Sequence, residues 1–96
     1  MIFAEIKYPH HYSDVHSGLV ALVEQHFSHV QSGLQGDSWI WIMDGGEKVS
    51  IDTFTSMIHQ VKSAKAGPHV QRVVEVLLTK YQVAVYEAPA EEGHDV

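Results

Sequence analysis

The sequence predicts an α+β fold, a two-layer ferredoxin-like sandwich with a four-stranded antiparallel sheet and helices on one face. Three observations predict it. A hairpin signature lies mid-chain, alternating runs lie near both ends, and amphipathic helical periods lie between them. The expected order is β-α-β-β-α-α-β. A split βαβ arrangement then gives the sheet order 4-1-3-2. The 96 residues suit one domain, expected over 1–88, followed by an acidic flexible tail over 89–96.

Residues 2–8 alternate. Ile2, Ala4, Ile6 and Tyr8 share one parity, and Phe3, Glu5 and Lys7 the other, as in a half-buried strand that Pro9 stops. Ser13 is the expected N-cap of a helix over 14–32, with Asp14 in its first turn, where the helix dipole favours negative charge. At about 100° per residue, Val15, Leu19, Leu22, Val23, His26, Phe27 and Val30 fall on one side. Gly33 stands where a left-handed residue after a helix belongs, with Leu34 following.

The hairpin covers 38–52. Gly45-Gly46 suits a two-residue primed turn, in which both central residues need positive φ. That turn places Ile42 opposite Val49 and Ile40 opposite Ile51 on a core face. Trp39, Trp41 and Met43 then face Asp52, Ser50 and Lys48 on the other side. A three-residue loop would slip the register by one and mix the two sets.

Two further helices are expected, at 53–65 and 68–81. Their stripes (Phe54, Met57, Ile58, Val61; then Val70, Val73, Val74, Leu77, Leu78, Tyr81) are out of phase. The second helix of the fold is therefore expected to be broken at Gly67-Pro68, with Pro68 in the first turn of its second half. The last strand is expected over 82–87, ended by Ala88-Pro89.

Composition narrows the function. Six basic residues against twelve acidic ones give a formal charge of −6, and the basic residues are scattered. Nucleic-acid affinity comes from clustered cations that release counterions, so nucleic acid is not an expected partner. The first residues, with an acidic Glu5 and no long apolar run, are expected to be neither a secretory signal nor a membrane span. With no cysteine in the chain, a cytoplasmic address and no disulfide are expected.

The eight histidines include the pairs His10-His11 and His26/His29, with His16 near Asp14. Catalytic zinc needs three ligands plus water. The helix-borne His-Glu spacings that supply them are missing, so no metal and no cofactor are expected. His26, on the apolar stripe, is expected to be a packed core residue. Lys65-Ala66-Gly67-Pro68-His69 is expected to be a plain helix break rather than an anion site, because Pro68 lacks an N–H donor. Nucleophile-elbow, dinucleotide-binding and Walker patterns are absent.

With helices on one side only, Phe3, Trp39, Trp41, Met43 and Tyr86 are expected to form an aromatic patch on the other. Such a patch marks a contact surface. The expected function is a small non-catalytic cytoplasmic module that forms a homodimer or binds a protein partner through this face. Two other readings stay open. One is a small-molecule-binding protein or enzyme with its pocket at that face. The other is an acidic regulator or inhibitor that docks a basic protein.

Overall fold

A computed structural model describes residues 1–92. The described chain runs β1 (Ile2–Lys7), α1 (Tyr12–Glu24), β2 (Val30–Gln35), β3 (Asp37–Asp44), β4 (Glu47–Asp52), β5 (Gln60–Ser63), α2 (Pro68–Leu78) and β6 (Gln82–Ala90). All pairings are antiparallel, in one six-stranded sheet of order β2-β3-β4-β5-β1-β6. The class is α+β. The four-stranded ferredoxin-like topology expected from the sequence is overturned by the two additional strands.

The first addition is β2. The helix expected over 14–32 stops at Glu24, and Val30–Gln35 pairs with β3. Val30 satisfied a helical stripe, but its partner is Ile42 across the ladder. Gly33 is not a helix-terminating residue; it lies in β2 opposite Trp39. The N-cap is His11 rather than Ser13, its Nδ1 accepting the Ser13 N–H at 3.2 Å.

The second addition is β5. The helix expected over 53–65 does not form, so no broken helix flanks Gly67-Pro68. Gln60–Ser63 instead fills the gap between β4 and β1. Every N–H and C=O of a buried strand needs a partner, and β5 supplies partners on both sides at once. Before it, Asp52 Oδ1 accepts the Phe54 N–H at 3.2 Å and Ser56 Oγ accepts the Ile58 N–H at 3.3 Å. These side-chain bonds hold 53–59 as turns rather than a helix. Phe54 and Met57 are left exposed, and Val61 alone of their expected stripe enters the core.

Other expectations hold. Pro68 opens α2, and Gly45 and Gly46 take φ of 61° and 83°. The hairpin register pairs Ile42 with Val49, Ile40 with Ile51 and Trp41 with Ser50. Both helices lie on one face, where Leu19, Leu22, Val23, Val73, Val74 and Leu77 pack with Ile40, Ile42, Val49, Ile51, Val61, Ala4 and Ile6. The last strand is a correction: it does not end at Ala88-Pro89 but runs through them to Ala90, an edge position where the missing N–H of Pro89 is tolerated. Residues 93–96 of the expected tail lie outside the described residues.

Candidate functional site

The cross-strand register lays out the uncovered face in rows. One row is Gly33, Trp39, Asp52, Gln60, Glu5 and Ala84; the next is Gln31, Trp41, Ser50 and Lys62. The Trp39 and Trp41 rings meet at 4.6 Å between centroids, tilted by 42°. Trp39 lies directly on Gly33, where a Cβ would stand 2.6 Å from the indole. Lys48 Nζ sits 3.9 Å above the Trp41 ring, a cation–π contact. Both tryptophans are therefore half-buried by one another and by their neighbours, while Met43 is 46% exposed.

The position of Gly33 follows from this stack. Gly33→Ala is expected to lower the unfolding free energy by about 1–3 kcal/mol, because the added methyl displaces Trp39. Urea denaturation followed by tryptophan emission measures it. An unchanged stability and an unchanged spectrum would show that the indole does not rest there.

Beside the aromatic shelf, between β4 and β5, lies a cleft of about 390 Å³. Its walls include Lys48, Ser50, Asp52, Phe54, Lys62 and Glu92. Lys62 Nζ is buried there, 2.7 Å from Asp52 Oδ1, 2.9 Å from Glu92 Oε2 and 3.4 Å from Thr55 Oγ1. Burial alone would lower the ammonium's pKa. Hydrogen bonds to Asp52 and Glu92, with their charges, outweigh it and hold the pKa above its ordinary value.

A third cluster lies on the helix side of the sheet. Ser38 Oγ lies 2.6 Å from His16 Nδ1 and 2.7 Å from His59 Nε2, and His59 Nδ1 lies 2.7 Å from the Tyr8 hydroxyl. Tyr8 Oη also accepts the His59 backbone N–H at 3.0 Å. One assignment gives every hydrogen an acceptor: Tyr8 donates to His59 Nδ1, His59 Nε2–H to Ser38, and Ser38 to His16. The reverse direction leaves the Tyr8 hydroxyl hydrogen without an acceptor among the described residues. His59 must then be neutral. Burial, with a smaller contribution from neighbouring His16, pushes its pKa down to about 4. Burial likewise lowers the pKa of His16 and raises that of Tyr8, the latter partly offset by the bond from His59 N–H. Ser38 and His59 are both 0% exposed, so no substrate reaches the serine oxygen. This chain of hydrogen bonds holds α1, β3 and the start of β5 together and is not a nucleophilic site.

Of the five residues expected in the patch, the structure brings together Trp39, Trp41 and Met43. Phe3 and Tyr86 are elsewhere. A register irregularity between Ile2 and Ala4 turns Phe3 into the core cluster. Phe3 and Tyr86 line a groove with Val70, Val74 and Val85 beside α2. His26 lies beyond the end of α1, exposed, with Nδ1–H donating to the Leu22 carbonyl at 3.0 Å; the expectation of a packed core residue is corrected. The buried histidines are instead His59 and His69, which no periodicity singled out. Among the described residues, no group of three or more His, Cys, Asp or Glu is placed to hold a metal ion. No described helix is long and apolar enough to cross a membrane.

Comparison with protein-family models, with curated proteins and with solved structures finds no match.

Proposed function

We propose that this protein is a non-catalytic binding module that acts through its uncovered sheet face, with a second copy of the chain as its partner. The observation that supports the reading is the shelf of Trp39, Trp41 and Met43 on the face that neither helix covers. A tryptophan pair held rigid by stacking loses little entropy on contact, and tryptophan is a favoured anchor. Exposed Phe54 stands at the neighbouring cleft. Lys48 lies over Trp41, and Asp52 stands opposite Trp39, so charges of both signs adjoin the shelf, which allows a patch to complement itself across a two-fold axis. The reading places the module in the cytoplasm, consistent with a chain that needs no disulfide.

Trp41→Ala is expected to weaken association by about 2 kcal/mol while leaving the fold intact. Sedimentation of wild type and variant across a concentration series reads it. A wild type that stays monomeric at millimolar concentration, with tryptophans quenched freely by iodide, removes the second copy as partner. An acidic regulator of a basic protein, favoured by the net charge of −6, is then the reading that stands.

A further inference from the structure

The cleft beside the aromatic shelf carries an inference that does not depend on the binding role of the tryptophans. Its two carboxylates hold Lys62 in different ways. Asp52 comes from the adjacent strand, its side chain is 4% exposed, and it also accepts the Phe54 N–H. It belongs to the frame of the sheet. Glu92 follows the end of β6, its side chain is 37% exposed, and Lys62 is its partner. It reaches into the cleft from the rim, as a ligand would.

The other charges of the cleft favour an anion. Lys48 has no carboxylate partner among the described residues and lies over Trp41. Glu47 is paired with Lys65 at 2.9 Å. With Glu92 swung out, two lysines face Asp52, and the balance is positive. Ser50 lies between the lysines, opposite Lys62 across the ladder and two residues from Lys48 on the same face. The ring of Phe54, centred 5.9 Å from Lys62 Nζ and 49% exposed, supplies an apolar wall. A volume of about 390 Å³ is within the range of small-molecule pockets.

We propose that this cleft is a binding site for small aromatic carboxylic acids, and that Glu92 is an intramolecular stand-in whose carboxylate the ligand displaces from Lys62. The ligand carboxylate accepts from Lys62 Nζ in the place of Glu92, and its ring lies along Phe54 towards Lys48. No covalent step is involved.

Titration of the full chain with phenylacetate, and with neutral phenylacetamide as control, tests the site through Trp41 emission and calorimetry. Phenylacetate is expected to bind, and phenylacetamide not. Glu92→Gln removes the competing charge and should tighten phenylacetate binding about tenfold. Lys48→Gln should weaken it several-fold, and Lys62→Met should abolish it. If Lys62→Met does not fold, the comparison of Glu92→Gln with Lys48→Gln decides. No binding of phenylacetate to Glu92→Gln at millimolar concentration overturns the proposal. So does equal affinity of wild type and Glu92→Gln, because it means that Glu92 does not occupy the ligand's place. Sedimentation of the same variants separates this result from the fate of the tryptophan contact.

Discussion

Shortening Ile42 to alanine is expected to lower the free energy of unfolding by about 2–5 kcal/mol. Ile42 is 0% exposed, flanked on the ladder by Val30 and Val49 and packed in the cluster with Leu19, Leu22 and Val23. The loss has two parts, the transfer of the missing methyl groups and the cavity that rigid neighbours leave open. Strands paired on both sides relax little, which puts the cost in the upper half of the range. Met43→Ala is the control. It lies next in the chain on the opposite face and is 46% exposed, so its loss should stay below about 1 kcal/mol. Urea denaturation at constant m-value measures both. Equal losses at the two positions would mean that the side-chain sorting of β3 is wrong.

Acid is expected to unfold the protein through His59. In the folded state its pKa falls to about 4, against an ordinary value near 6.5. The unfolded chain therefore binds the proton more readily, and stability rises with pH in this interval. The contribution is complete above pH 6.5 and is lost progressively as pH falls towards 4. At about 1.4 kcal/mol per tenfold, the loss by pH 4 is about 3 kcal/mol. Protonating His59 also reverses Nδ1 from acceptor to donor, which breaks the Tyr8-to-His16 chain at its centre. His16, whose pKa burial lowers, adds in the same direction. Chemical denaturation at pH 7, 5.5 and 4 shows the slope in wild type. His59→Gln keeps a polar side chain there but has no proton to gain, so its slope should be flatter by about this amount. Identical slopes would place the acid sensitivity elsewhere.

The hairpin was legible in the sequence because all its determinants are local. Gly45-Gly46 set the turn, and the period-two pattern on both sides admitted one register that keeps aliphatic and aromatic residues apart. The core partners Leu19, Val23, Val74 and Leu77 were legible for the same reason, since helical periodicity names the inward face. The tryptophan shelf followed from the hairpin. Its extension to Phe3 did not, because an irregularity in a strand leaves no mark on composition.

Short strands were the loss. Val30–Gln35 and Gln60–Ser63 are six and four residues long, and each extended an apolar spacing that also satisfied a helix. What decided them was the demand of neighbouring strands for hydrogen-bond partners, a condition set by segments far away in the chain. The buried polar groups share that origin. Lys62 with Asp52 and Glu92, and Tyr8 with His59, Ser38 and His16, are joined across separations of 10 to 51 residues. By itself the sequence determined an α+β chain with a two-faced hairpin and an apolar inward side for each true helix. The number of strands, the buried histidine and lysine networks, and the cleft that Glu92 lines were decided only in the tertiary structure. Periodicity records which face a residue turns inward, while pairing and polar satisfaction depend on which distant groups the fold brings within 3 Å or so.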